Sequence, residues 1–405
     1  MHLQLAWRNI WRNPRRTGVI LTAVIIGVWG MVFLGALSDG IGDQMVRNSI
    51  ATLTGSLQIH LKEYRDDPVI ENSMNDPQAV IETVQKHLPA NAHWSPRIRV
   101  NAVAANARHS SGVTLVGIDP SKEKHVSFIG QAVKEGRYLE PDEPYGILMG
   151  KALADKFETG LDRKLLLMSQ AADREMASRS FRIAGIFQAE LEATEKQFVF
   201  VTLPAARDML KIQGLSEISL LLPDKSDPYA AAGQIRPHLP ESCEIRTWRE
   251  ILPLVTASVE MNQSFMIIWY LVVFIAMGFG IVNTLLMAVF ERMREFGLLK
   301  ALGMKPRWIA VSVLTESFVL LMMGIIAGNL ISLALIWWLA ESGIDLSAFA
   351  AGMAYAGMPR VIYPMIRTEN LIMANLVVLI LGLGVSLYPA LKAARFTPAE
   401  AMSRH

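Results

Sequence analysis

Apolar residues in this chain gather into four runs, at 18–37, 265–290, 308–339 and 371–391. Each reaches the length of about 20 residues that a helix needs to cross a hydrocarbon layer of ~30 Å, so the pattern predicts four transmembrane helices. Between the first two runs, over 38–264, the pattern changes to short alternating stretches, turn signals and a few amphipathic segments, which predicts a large α+β domain. Strands are expected at 55–61, 97–108, 113–118, 164–168, 181–187, 197–201 and 218–222, with a turn at Ser110-Ser111-Gly112. Helices are expected at 150–157, 204–210 and 229–239. A segment of this size is long enough to bury a core of its own.

Ahead of the first run, Leu3, Trp7, Ile10 and Trp11 fall on one helical face and Arg8, Arg12 and Arg15 on another. Residues 1–17 therefore predict an interfacial amphipathic helix. It is either an elbow that steers the first span or a plain basic anchor with tryptophans at headgroup level. The first run is read as an uncleaved span, because it is long for a signal peptide and ends in Ser38-Asp39-Gly40-Ile41 without a small-x-small site. Arg8, Arg12, Arg15 and Arg16 precede it; Arg292, Arg294, Lys300, Lys305 and Arg307 fill the link 291–307; Lys392 and Arg395 open the tail 392–405. By the positive-inside bias these segments are cytoplasmic, both termini included, and 38–264 and the loop 340–370, with Arg360 and Arg367, are extracytoplasmic.

Composition narrows the chemistry. With 52% hydrophobic and 19% charged residues, the chain does not read as a soluble enzyme. A net charge of +2, with the basic residues set beside apolar runs, offers no stripe for nucleic acid. A single cysteine, Cys243, excludes an intramolecular disulfide. There is no Gly-x-x-x-x-Gly-Lys-Ser/Thr loop to cradle a nucleotide, so this chain is not expected to hydrolyse ATP. There is also no Gly-x-Ser-x-Gly elbow or His-Glu-x-x-His helix, and the histidines are dispersed, so neither a catalytic centre nor a metal site is expected.

Three features in and between the membrane segments stand out. Glu316 lies in an apolar run, where a charge costs about 2.5–3.5 kcal/mol by insertion scales. It either meets another helix or an arginine near the inner boundary, or snorkels to that boundary. Gly324-Ile-Ile-Ala-Gly328 is a small-xxx-small element that lets helices approach closely, within one subunit or between two. The link Glu291-Arg292-Met293-Arg294-Glu295-Phe296-Gly297-Leu298-Leu299-Lys300-Ala301-Leu302-Gly303-Met304 is charged at its start and apolar in its middle. It is either a short helix that docks in another protein's groove or a solvated loop with a buried leucine or two.

That link resembles the hallmark between the second and third spans of the FtsX-like permease family of ABC transporters, with Phe296 where isoleucine is usual. The tail 388–402 resembles the family's ending, and within it Thr397, Pro398 and Glu400 have the pattern of a capping box. The opening 6–17 is similar to the family's start. Val116-Gly117-Ile118-Asp119-Pro120, Gly136-Arg137 and residues 200–206 resemble the MacB-like core domain in order. The resemblance implies a permease subunit of the bacterial inner membrane that pairs with a second copy or a paralogue. It implies cytoplasmic ABC ATPase subunits that carry ATP and Mg, with 291–304 as the coupling helix. Closure of the ATPases would be transmitted through the second span to the extracytoplasmic domain.

Residues 37–45, 55–60 and 343–347 look like those of lipoprotein-releasing permeases. The resemblance therefore implies release of lipoproteins from the inner membrane, with a periplasmic lipoprotein carrier as a further partner. Efflux with a membrane-fusion partner, and a non-transporting relay that activates an external enzyme, are the alternatives. Acyl chains and membrane lipids are expected near Met31, Phe33, Leu34, Phe265, Met266 and Trp269, unless these simply pack helices or face bulk lipid.

Overall fold

A helix satisfies its own backbone N–H and C=O groups, the condition for any segment placed in hydrocarbon. A computed structural model of the protein describes residues 2–224, 226–345 and 361–396, and contains four helices long and apolar enough to cross a membrane. They are Pro14–Ser49, Pro253–Glu291, Pro306–Ser342 and Thr368–Arg395, and each outruns the apolar stretch that predicts it. A separate helix, His2–Arg12, precedes them. It stops there because Pro14 disfavours helical backbone in Asn13, the residue before it. Thr17 closes the bend, with its N–H on the Asn13 carbonyl at 3.2 Å and its hydroxyl donating to the Ile10 carbonyl at 2.5 Å. Arg15, expected on the amphipathic helix, therefore belongs to the first long helix.

The chain forms two compact units, one holding the described residues up to Asp43 and from Val259 on, the other Gln44–Ser258. In the first, Val24, Val28 and Met31 pack with Met277 and Ile281, Leu320 and Leu321, and Val378, so every long helix contributes to one core. Asn329, a polar residue in an apolar run, donates to Asn375 of the fourth long helix at 2.8 Å. In the loop 340–370, Ile344–Asp345 pairs antiparallel with Val361–Ile362. The capping-box residues Thr397, Pro398 and Glu400 lie outside the described residues, as do Leu346, Ser347 and Arg360.

The second unit is α+β. Its strands are β1 (Leu57–Leu61), β2 (His93–Ala105), β3 (Ser110–Ile118), β4 (Val133–Gly136) and β5 (Gly146–Gly150). They continue with β6 (Lys164–Gln170), β7 (Met176–Phe187), β8 (Phe198–Thr202), β9 (Glu217–Leu221) and β10 (Cys243–Thr247). One sheet runs β10-β1-β9-β2-β3-β8-β5-β7-β4, with β6 beside β2 and β7. Leu115 and Val199 join an apolar cluster on one face, and Val116 and Phe200 a second cluster on the other. With both faces covered, the central strands lose the alternation that marks a half-exposed strand. β8, buried throughout, still signals a strand through its run of Phe and Val, whereas β5, equally buried, has a single β-branched residue, Ile147, between two glycines and gives no strand signal in the sequence.

The turn expected at Ser110-Ser111-Gly112 falls earlier. The Asn106 side-chain oxygen accepts the N–H groups of Arg108 and His109 at 2.9 and 2.8 Å, and Ser110, Ser111 and Gly112 are strand residues opposite Ala105, Ala104 and Val103. Asparagine offers its own backbone this competing turn, which outweighs the serine–glycine signal.

The strands nearest the first and second long helices in sequence, β1 and β10, pair antiparallel along their full length, with Leu61 opposite Cys243. Trp248 N–H donates to the Ser56 carbonyl at 3.1 Å beside that ladder. Directly opposed residues of an antiparallel pair have Cα atoms about 4.5–5.5 Å apart, inside the range of a disulfide. Leu61→Cys is therefore expected to form a disulfide with the native Cys243 on mild oxidation. Intact and reduced masses of the peptides check it, and free thiols under oxidant would contradict the register.

At the core of this unit Arg97 is buried with two acids. Its guanidinium donates to Glu123 at 2.7 and 3.0 Å, to Glu217 at 3.2 Å and to the Leu53 carbonyl. Burial works against the charge on Arg97, but Glu123 and Glu217 more than offset it and hold the group above its ordinary range. Burial likewise opposes the charge on Glu123, and Arg97 holds that carboxyl below the ordinary carboxylate range.

Candidate functional site

The segment 291–304 folds as a short helix between two breaks. The second long helix ends at Glu291, Arg292 leaves helical geometry at φ −101°, ψ 13°, and a nine-residue helix follows over Met293–Ala301. It ends on Gly303, whose φ of +91° is open to glycine and strained for other residues. Lys305 is then extended and Pro306 starts the third long helix. The sequence reasons are local: glycine stops one helix, and proline is suited to start the next.

The short helix has two dissimilar faces. Phe296 is buried with Val289, Ile309, Val313, Ala390 and Ala393, Leu299 packs on that cluster, and Met293, one turn before Phe296, is buried as well. Gly297 is buried beside them. Arg294, Leu298, Ala301 and Leu302 point away, at the i, i+4, i+7, i+8 spacing of one helical face. Leu298 is 60% exposed, Leu302 77%, and Met304 is also exposed. The segment is a short helix and not a solvated loop: its interior leucine is Leu299, while Leu298 and Leu302 lie on the surface.

Charges bind the inner side of the segment to the long helices. Arg292 donates to Glu295 at 3.1 Å and to Glu316 at 2.9 Å. Arg16 meets Glu316 at 3.4 Å and Glu291 at 3.2 Å, and Arg12 pairs with Glu295. Glu316 thus has arginine partners on two elements rather than a path to the boundary. Burial disfavours the Glu295 carboxylate, yet the hydrogen bonds from Arg12 and Arg292 hold its carboxyl below the ordinary range. Lys300 donates to the carbonyls of Ala394 and Phe396 at 2.5 and 2.6 Å, a cation at the C-terminal end of the fourth long helix. In the sequence Arg12 and Arg16 carry only local signals, the positive-inside bias and, for Arg12, the polar face of the amphipathic helix; their partners lie 275–300 residues away and no local pattern joins them.

The glycine pair of the third long helix packs within this chain. A Cβ at Gly324 would stand 2.7 Å from Val24 Cβ, and one at Gly328 would stand 2.8 Å from Val28 Cβ and 3.1 Å from the Ile25 carbonyl. Gly328→Leu is expected to cost about 1–3 kcal/mol through overpacking. A denaturant or thermal unfolding series on the full chain in detergent checks it, with Gly384→Leu, where nothing lies within 4 Å, as the neutral control. The residues expected near acyl chains separate: Met31 is fully buried in the helix core, Phe33 packs on that core and stacks with Trp29 at 5.9 Å, and Met266 is half-buried. Leu34, Phe265 and Trp269 are exposed.

Comparison with known proteins adds the following. Residues 17–238 match the family model of the MacB-like periplasmic core domain, and 266–398 match that of the FtsX-like permease C-terminal region. The lipoprotein-releasing system transmembrane protein LolC of Xylella fastidiosa is 25% identical over 329 residues, 78% of this chain and 78% of that one. The pyoverdine export ATP-binding/permease protein PvdT of Pseudomonas putida is 26% identical over 447 aligned positions, 99% of this chain and 59% of that one. Among solved structures, the periplasmic region of MacB from Actinobacillus actinomycetemcomitans covers 53% of this chain and 98% of its own, at 12% identity and a TM-score of 0.37.

Proposed function

We propose that this chain, which belongs to the FtsX-like permease family and carries its MacB-like periplasmic core domain, is the permease subunit of an ABC transporter that releases lipoproteins from the bacterial inner membrane. Both termini and the short helix Met293–Ala301 lie on the cytoplasmic side, and the α+β domain lies in the periplasm. The observation that carries the reading is the short helix itself. Its inner face is fixed by apolar contacts and ion pairs, and Leu298 and Leu302 are left exposed on its outer face. An exposed amphipathic helix of this kind suits the groove of another protein. Its occupant here is a separate ABC ATPase, which supplies ATP and Mg, since this chain has no phosphate loop.

Motion of the docked ATPase moves the long helices and, with them, the periplasmic domain. A second permease chain, the same or a paralogue, completes the assembly, and a periplasmic carrier receives the lipoprotein. Lipoprotein release rests on the name of the Xylella relative. Export with a membrane-fusion partner is the second reading, favoured by a match to the pyoverdine exporter across 99% of this chain.

Affinity purification of the tagged chain from its native membrane, with mass spectrometry of what accompanies it, tests both. An ABC ATPase recovered with an acylated lipoprotein or its carrier is the expected result. A fusion protein in its place selects export, and recovery without any ATPase overturns the proposal.

A further inference from the structure

We propose that six charged side chains at the short helix form one alternating chain, and that Glu316 is the positioning residue through which the short helix holds the first and third long helices. This rests on the reading of that helix as the coupling element and adds how its position is set. The order is Arg12, Glu295, Arg292, Glu316, Arg16, Glu291, with each neighbour an ion pair. It runs from the amphipathic helix to the short helix, on to the third long helix, back to the first, and ends on the second.

Exposure grades along the chain in a way that assigns the roles. The inner members Glu316, Arg16 and Arg292 have side chains only 6%, 8% and 15% exposed, while Glu295, Glu291 and Arg12 are at 37%, 46% and 64%. A pair in water contributes little, but a desolvated charge that loses its partner is strongly unfavourable. Glu316 is the one acid shared by two nearly buried arginines. The covalent path from the short helix leads to the second and third long helices alone. The ion chain adds the first, and Lys300 adds the end of the fourth. A push on nine residues thereby reaches every long helix of the bundle.

The test uses the full chain in lipid nanodiscs, alone and as the complex that co-purifies with it. In Glu316→Gln, amide hydrogen exchange of Met293–Ala301 is expected to rise at least ~10-fold, because two desolvated arginines lose their shared acid. Glu291→Gln, at the exposed end, is expected to stay within ~2-fold. The double variant Glu316→Gln/Arg16→Gln is expected to be no worse than Glu316→Gln, since Arg292 keeps Glu295, the nearly buried Arg16 charge is gone, and Glu291, which loses Arg16, is solvated. In the complex, Glu316→Gln retains the ATPase but loses most of the turnover stimulated by added lipoprotein.

Unchanged exchange in Glu316→Gln, or effects that multiply in the double variant, would overturn the chain. Loosening seen in a chain that recruits no ATPase would uphold the positioning role and overturn the docking reading instead.

Discussion

Leu298→Glu/Leu302→Glu is expected to abolish recovery of the partner ATPase while leaving the permease folded and inserted. A leucine withdrawn from water at an interface contributes about 1.5–3 kcal/mol, so losing two weakens association by roughly 100-fold or more before the desolvation of the new charges is counted. The effect on the free chain is small, because these side chains are 60% and 77% exposed and point away from the apolar cluster. Leu299→Glu gives a contrasting defect. Leu299 packs inward, so that variant loosens the short helix itself and lowers permease yield as well. Pull-down yield against membrane yield for the variants separates the two, with Met176→Glu in the α+β domain as a charged surface control. Equal recovery of ATPase by Leu298→Glu/Leu302→Glu and wild type would remove the outer face from the account.

Arg97→Met is expected to destabilise the α+β domain by about 3–5 kcal/mol at neutral pH, because it leaves Glu123 buried without its cation and Glu217 with only the more distant Arg99 at 4.0 Å. The pH dependence is expected to change sign. In the native protein Glu123 titrates below its unfolded value, so its contribution is present above the ordinary carboxylate range near pH ~4 and is lost as pH falls through the depressed folded value. In the variant, burial is the largest remaining influence and raises the Glu123 value against the smaller opposing effect of the Ser127 and Ser95 hydroxyls. Its contribution is then fully present below the ordinary carboxylate range and is lost as pH rises through the raised folded value. Adding Glu123→Gln to Arg97→Met removes most of that slope. Hydrogen exchange of β2 and β3 in the full chain at two pH values, corrected for intrinsic rates, reads the opening free energy. Parallel pH trends in variant and native protein would contradict the assignment.

The parts of this molecule dictated by solvent were readable in its sequence. Hydrocarbon demands long apolar helices, and the four runs announce them; the polar extensions past Leu37 and before Phe265 carry no such mark, so the helices are longer than the runs. Strands with one covered face were read from alternation. β5 carries no mark because both its faces are covered and it lacks the aromatic and β-branched run that reveals the equally buried β8, and the β2–β3 turn falls before the serines because Asn106 competes with them.

The segment 291–304 reads in the sequence as either a short helix or a solvated loop, and which leucine faces out is not legible there. That depends on Val313, Ala390 and Ala393 coming in from other helices. Of the ion chain, only its centre is legible: Glu316, a charge in an apolar run, calls for another helix, an arginine or the boundary, while nothing local marks Arg16 as more than one basic residue among several at a membrane boundary. Gly324 and Gly328 were legible as a close-packing element, and their partners Val24 and Val28 emerge only in three dimensions.

The most direct test of the docking claim is photo-crosslinking from position 302 in native membranes, with position 299 as the inward reference, followed by mass spectrometry of the adducts. The account predicts that an ABC ATPase is the principal adduct from 302 and that 299 gives adducts within the permease. Adducts from 302 confined to lipid or to the permease itself would contradict it.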